Sequence, residues 1–189
     1  MKNINILVIN PLWPHPNHSI RAANVVLFEL ISEFAKQQDV KVMFLKINKY
    51  NDPAPSDEEN RGVELLQSQG VNILPAFTLP LTSAKKSALS RILFADLADF
   101  YPEIAYRAMT QEKIVSYKPD VLFIPWTEWM TALCADMPVL KFAYYGNPDA
   151  KSVLAMTEFN FKHGTISFFR YLIQKYFYKK FEKLHLKIL

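Results

Sequence analysis

A nearly continuous apolar run near the start of the chain constrains the fold more than any other feature. Residues Ile4–Ile9 read Ile-Asn-Ile-Leu-Val-Ile, a pattern typical of a strand that is buried on both faces of a parallel sheet. Apolar residues then recur at helical spacing over Arg21–Lys36, which predicts an amphipathic helix. A second apolar run covers Val40–Ile47. A strand, a helix and a strand in this order predict a right-handed βαβ unit.

The alternation of strands and helices continues along the rest of the chain. Ser56 and Glu59 form the sequence pattern of a capping box, and Gly70 closes the helix that they begin. The later predicted elements are strands over Val71–Leu74, Val121–Ile124 and Val139–Tyr145, an irregular stretch over Pro75–Lys86, and helices over Ser87–Asp99, Pro102–Tyr117, Thr127–Asp136, from Asp149 onward and over Thr165–Leu189. This order predicts an α/β fold with a doubly wound, Rossmann-like, mostly parallel sheet and helices on both faces.

The last predicted helix has no stop signal. No Gly or Asn follows its final apolar positions, and no Pro lies beyond them. We therefore expect residues 1–189 to form the N-terminal domain of a two-domain protein whose C-terminal domain lies outside this chain.

Composition narrows the class of protein. A chain of 189 residues, half of them hydrophobic, can bury a sizeable core in one domain or at most two. Cys134 is the single cysteine, which excludes an intramolecular disulfide and a thiolate zinc cage and favours a cytoplasmic setting. No apolar run approaches the roughly 20 residues that span a bilayer, and the start of the chain has no cleavable signal. A peripheral position on the inner face of the cell membrane stays open.

Positive charge is concentrated in the last part of the chain. Residues 1–150 hold 14 basic and 16 acidic residues, whereas residues 151–189 hold 8 and 2. Four lysines recur every four residues and are predicted to form one row on the terminal helix: Lys175, Lys179, Lys183 and Lys187. Apolar residues are predicted to cluster toward the opposite side: Phe169, Leu172, Ile173, Tyr176, Leu184 and Ile188. Two alternatives follow: the lysines meet an anionic membrane surface, or the apolar stripe packs on the sheet and the lysines are solvated.

Ligands of a doubly wound sheet bind beyond the carboxyl ends of its strands. Three loops are predicted to lie there: Asn10–Ile20, Pro125–Glu128 and Gly146–Asp149. The candidate ligand-facing residues in and beside these loops are His18, Arg21, Trp126, Glu128, Tyr145 and Asn147.

Each of these residue types has a functional and a structural interpretation. Glu128 between two tryptophans could bind a polar ring by stacking and hydrogen bonding, or act as a base. Alternatively, Thr127 caps a short helix, Glu128 complements the helix dipole, and Trp126 and Trp129 belong to the core. Asn147 likewise fits a helix cap, since Pro follows it.

Several common sites are not expected. The chain has no Gly-x-Gly-x-x-Gly pattern, no P-loop and no Gly-x-Ser-x-Gly motif, so we expect no cofactor in this chain. His15 and His18 are three residues apart, but Pro16 between them disfavours the helix that this metal-ligand spacing needs. We expect these histidines to be solvated or in contact with sugar. No nucleic-acid motif surrounds the basic tail, and nucleic-acid binding is not expected.

Four segments carry a resemblance to a known family. They are Ile6–Pro11 as an opening strand with its terminal proline, Leu27-Phe28-Glu29-Leu30 in the first helix, Lys118-Pro119-Asp120-Val121 before the fourth strand, and Pro138-Val139 before the fifth. In these segments and in the order of its elements, the chain resembles the N-terminal domain of a GT-B-type glycosyltransferase, and is most similar to retaining family 4.

The resemblance implies a hexosyltransferase-like enzyme of surface polysaccharide or glycolipid biosynthesis. This domain would bind the acceptor, a saccharide or glycolipid. The absent C-terminal domain would bind the donor, a nucleotide sugar, and would supply the catalytic glutamates, so the chain alone is expected to be inactive and its own catalytic residues are unknown. Many members have a Gly-Gly pair where Arg21 and Ala22 stand here; Arg21 could instead meet an anionic group by charge and fork geometry. The alternative is a non-catalytic, flavodoxin-like binding or regulatory module.

Overall fold

The computed structural model describes residues 3–17, 22–81, 96–144 and 149–185. Within these ranges the strands are β1 (Ile4–Asn10), β2 (Val40–Asn48), β3 (Asn72–Ile73), β4 (Phe77–Thr78), β5 (Val121–Pro125) and β6 (Leu140–Tyr144). The helices are α1 (Ala22–Ala35), α2 (Asp57–Ser68), α3 (Leu97–Phe100), a 3-10 helix (Pro102–Tyr106), α4 (Arg107–Ser116), α5 (Glu128–Cys134), α6 (Asp149–Lys162) and α7 (Phe168–His185). Most of the predicted helix Ser87–Asp99 lies outside the described residues.

The strands form a parallel sheet in the order β3-β2-β1-β5-β6, and the short β4 pairs with the end of β2. Numbered along the main path of the sheet, the strand order is 3-2-1-4-5, which is the Rossmann order without its sixth strand, and the order reverses between β1 and β5. The predicted doubly wound α/β fold is therefore confirmed. The strand order differs from that of flavodoxin, in which the first strand lies between the second and third. A non-catalytic binding or regulatory module on this fold stays an alternative prediction.

Both faces of the sheet are buried, as the continuous apolar strands require. On one face, Leu7 of β1 packs with apolar residues of β2 and β5 under α4 and α5. On the other face, Val8 packs with Phe44 under α1 and α2. Side chains alternate between the faces of a strand, so neighbours such as Leu7 and Val8 enter different cores.

Helix ends follow the predicted chemistry in one case and depart from it in another. At α2 the Ser56 hydroxyl accepts from the Glu59 amide, the Glu59 carboxylate accepts from the Ser56 amide, and Gly70 follows with a φ of +87°. The capping box and its closing glycine are thus confirmed. Thr127 is the N-cap residue of α5, but its hydroxyl donates to the Pro125 carbonyl at 2.9 Å instead of capping a helix amide. The predicted Thr127 cap is wrong in this respect.

The terminal helix packs mainly through aromatic rings. Phe161 of α6 stacks on Tyr171 of α7 with ring centroids 4.3 Å apart, and Phe181 of α7 stacks on Phe100 at 4.1 Å. Phe169 and Tyr176 remain exposed. The alternative that places the whole predicted apolar stripe of this helix on the sheet is therefore wrong.

Candidate functional site

The loops that follow β1 and β5 meet at the carboxyl edge of the sheet. The side-chain amide of Asn10, the last residue of β1, donates to the Pro125 carbonyl at the end of β5 over 2.8 Å, and its carbonyl oxygen accepts from the Leu12 amide over 2.9 Å. Asn10 is buried. One side chain thus fixes both loops at the point where the strand order reverses, the usual ligand position of this fold.

The loop after β1 is also held from the side of α1 and α2. The Asn24 side chain of α1 donates to the Trp13 carbonyl over 2.7 Å. Gly62 of α2 lies against the loop so closely that a Cβ there would be 2.3 Å from the Pro14 carbonyl oxygen. His15 is completely buried beside Gly62, and neither of its ring nitrogens has a hydrogen-bond partner among the described residues. The expectation that this histidine is solvated is wrong.

Two adjacent cavities open at this edge of the sheet, and together we call them the lysine cleft. The first has a volume of about 210 Å³ and lies between the loops after β1 and β2 and the start of α5. The second, of about 330 Å³, continues past the loop after β4. Residues that line the cleft include Trp13, Lys46, Lys49, Asp52, Glu59, Glu103 and Trp129.

Lys46 lies at the inner wall of the cleft. Its side chain is only 5% exposed, and its ammonium group lies 3.5 Å from the Asp52 carboxylate. It also donates to the Asn48 side-chain oxygen and lies 5.5 Å from the centroid of the Trp13 ring. A buried ammonium group needs such partners because desolvation without them costs several kcal/mol, on the order of the effective penalty per buried ion. Lys46 and Asp52 thus form an ion pair at the inner wall of the cleft, and the pair carries no net charge.

Lys49 occupies the boundary between the two cavities. Its ammonium group lies 2.5 Å from the Glu103 carboxylate and 4.9 Å from the centroid of the Trp129 ring. Half of the Lys49 side chain is exposed, whereas Glu103 is buried. Two indole rings and several hydrogen-bonding side chains therefore line the lysine cleft, in which acidic and basic groups are both present. Such a lining suits a polar ligand with little net charge.

The structure does not bring Trp126 and Glu128 together. Trp126 has a φ of +54°, packs with the core on the α1 face and meets Tyr144 edge to face at 6.0 Å. Glu128 is buried, and its carboxylate accepts from the Tyr101 hydroxyl over 2.5 Å; Tyr101 packs with α5 and α7 on the other face of the sheet. The other residues predicted for this site lie outside the described residues: His18, Arg21, Tyr145 and Asn147.

The charged lining of the lysine cleft was not predicted from the sequence. Lys46 interrupts the apolar run from Val42 to Ile47 in β2, which is a usable signal because a buried strand rarely carries a lysine without a function or a partner. Trp13 lies in a loop that the sequence analysis singled out. Glu103, which pairs with Lys49, lies more than fifty residues further along the chain, so a local sequence pattern could not predict this contact.

Comparisons with known proteins add no family assignment. No protein-family model matches the chain, and no curated protein is significantly similar to it in sequence. Among the described residues, no helix is both long and apolar enough to cross a membrane, and no group of three or more His, Cys, Asp or Glu side chains is arranged to hold a metal ion. Function is therefore inferred from the fold and the lysine cleft.

Proposed function

We propose that this chain is the acceptor-binding domain of a GT-B-type glycosyltransferase. The full enzyme would transfer a sugar from a nucleotide sugar to a saccharide or glycolipid, in the synthesis of a surface polysaccharide or glycolipid. The observation that carries the proposal is the lysine cleft: two indole rings and paired charges lie at the carboxyl edge of a Rossmann-ordered sheet. The sequence resemblance to this class supports the same function.

The chemistry of the cleft suits a sugar. The indole rings of Trp13 and Trp129 offer apolar faces on which the C–H face of a sugar ring packs. Lys49, Asp52 and Glu59 offer donors and acceptors for hydroxyl groups. The cavity volumes, about 210 and 330 Å³, lie at or below the lower end of the roughly 300–1,000 Å³ common for small-molecule sites. One or two sugar rings are the appropriate size.

The proposed mechanism divides the work between two domains. On this proposal, this domain orients the acceptor hydroxyl, and a second, C-terminal domain would hold the nucleotide sugar and the groups that stabilise the transition state. Closure of the two domains excludes water from the reactive glycosyl centre. On this proposal the chain alone binds an acceptor and transfers nothing.

Saccharide binding to the purified chain tests the proposal. The probes are a panel of uncharged di- and trisaccharides, titrated against tryptophan fluorescence and checked by saturation-transfer NMR. We expect Trp13→Ala and Trp129→Ala each to weaken binding by about tenfold, as expected for loss of roughly 1–1.5 kcal/mol of ring contact. Folding of each variant is checked by circular dichroism.

Trp126→Phe discriminates between two positions for the acceptor. If it weakens binding while Trp13→Ala and Trp129→Ala do not, the acceptor lies beside Trp126, where the sequence analysis placed it. If no saccharide of the panel binds, or if the chain alone hydrolyses or transfers sugar from a nucleotide sugar, the proposal is wrong.

A further inference from the structure

One face of α7 exposes a row of large apolar and basic side chains. Phe169 is 72% exposed, Leu172 46% and Tyr176 55%, and Lys179 and Lys183 are exposed on the next two turns. Steps of three and four residues place all five on one side of the helix, which we call the α7 face. The prediction that the apolar residues lie opposite the lysines is therefore wrong for Phe169, Leu172 and Tyr176, which share a side with Lys179 and Lys183. Apolar rows of this kind on a surface usually mark a contact site.

Other sides of α7 hold the helix in place, which leaves the α7 face uncovered among the described residues. Phe181 is buried against Phe100. Lys175 donates to the Tyr171 hydroxyl over 2.7 Å and lies 3.4 Å from the Glu158 carboxylate of α6. The hydrogen bond to Tyr171, followed by the interaction with Glu158, raises the pKa of Lys175. Lys175, predicted to face a membrane, is thus engaged with side chains of α6 and α7, and Lys187 lies outside the described residues.

We propose that the α7 face binds the anionic surface of a membrane. The helix carries five basic residues and one acidic residue, so lipid phosphates would complement its charge. Phe169, Leu172 and Tyr176 enter the boundary between head groups and acyl chains, where aromatic and aliphatic side chains are favoured. Lys179 and Lys183, on the next two turns after Tyr176, reach the phosphates. The interaction goes beyond acceptor binding and does not depend on it.

Charge favours a membrane over a second copy of the chain. Because the α7 face contains two lysines and no acidic residue, a symmetric dimer through this face would bury those lysines without a carboxylate from the partner's same face. A lipid surface rich in phosphates accepts both lysines and leaves their charges hydrated. The membrane is thus the occupant that satisfies the apolar and the basic residues together.

Co-sedimentation of the full chain with lipid vesicles tests the proposal. We expect binding to vesicles that contain phosphatidylglycerol at low ionic strength, weaker binding in high salt, and still weaker binding to phosphatidylcholine alone. The double substitution Lys179→Gln/Lys183→Gln should lower the partition coefficient roughly 30-fold, about fivefold for each lysine. Tyr176→Ser should also weaken binding.

Control substitutions outside the α7 face show whether vesicle binding depends on this face or only on the net charge of the chain. Lys36→Gln/Lys41→Gln removes the same charge from exposed lysines beside the amino end of β2, and Tyr50→Ser removes a similarly exposed ring. Both should change binding less than twofold. Equal losses in the two double variants, or no binding of the native chain, would overturn the proposal. So would a dimer in sedimentation that Tyr176→Ser dissociates, because it would assign the α7 face to a second copy.

Discussion

The central sheet and the hairpin formed by α6 and α7 differ in how much of their apolar side-chain surface is exposed. In the sheet, Leu7 and Phe44 are completely buried. In the hairpin, Phe159, Phe168 and Phe169 leave more than half of their surface exposed, at 55%, 62% and 72%. Charge differs as well, since residues 1–150 are slightly acidic and residues 151–189 strongly basic. The sheet buries its apolar side chains, whereas the hairpin leaves large apolar side chains exposed.

Because of this difference in burial, aromatic rings of the sheet and of the hairpin contribute differently to the free energy of unfolding. A ring buried in the sheet stabilises the folded state by about 1.5–3 kcal/mol relative to an exposed one. An exposed ring of the hairpin contributes little until another surface covers it. Substitutions of the same kind in the two regions should therefore have very different effects, and each comparison below tests that contrast.

Thiol reactivity should show the largest contrast. Cys134 of α5 is completely buried, and burial raises the pKa of its thiol to about 12. At pH 8 roughly one such thiol in ten thousand is ionised, against roughly a quarter of exposed thiols. In the variant Phe169→Cys we expect the new thiol to react with Ellman's reagent roughly a thousandfold faster than Cys134. Urea should abolish the difference; equally fast reaction of Cys134 in the native chain would show that the sheet core opens readily.

Truncation of a ring should give the next largest contrast. Phe44→Ala removes a completely buried ring between β1, α1 and α2 and should lower the free energy of unfolding by about 3–5 kcal/mol. Phe169→Ala should change it by less than about 0.5 kcal/mol, because the ring is exposed. Urea unfolding followed by circular dichroism measures both values. A loss above about 2 kcal/mol for Phe169→Ala would mean that the hairpin buries this ring.

Local patterns were sufficient to predict the sheet part of the fold. The strands β1 and β2, the helix α1 and the capping box of α2 each depend on residues close in sequence, through apolar runs, helical spacing and turn chemistry. The short β4 was missed inside a stretch predicted to be irregular, because two residues give no periodic signal.

Orientation was harder to predict than the presence of an element. The sequence placed Trp126 and Glu128 beyond one strand, yet they lie against opposite faces of the sheet. The chain bends at Trp126, whose φ is +54°. On α7, aromatic residues surround much of the helix, so the buried side could not be distinguished from the exposed one. Contacts from distant segments, such as Phe100 on Phe181, decide which side is buried.

The smallest contrast concerns two tyrosine hydroxyls, one in each region. In the sheet part, Tyr101 donates over 2.5 Å to Glu128, and both side chains are buried. In the hairpin, the Tyr171 hydroxyl accepts from Lys175 over 2.7 Å at a partly exposed position. Water can replace the second interaction but not the first.

Tyr101→Phe should therefore lower the free energy of unfolding by about 1–3 kcal/mol, since a buried carboxylate loses a donor, whereas Tyr171→Phe should leave the urea midpoint unchanged. A double-mutant cycle that combines Tyr101→Phe with Glu128→Gln measures the coupling between the two groups. Equal midpoints for Tyr101→Phe and the native chain would show that Glu128 does not depend on this hydroxyl. Strong coupling would mean that a loss of activity in Glu128→Gln reflects stability, and does not by itself place Glu128 against the acceptor.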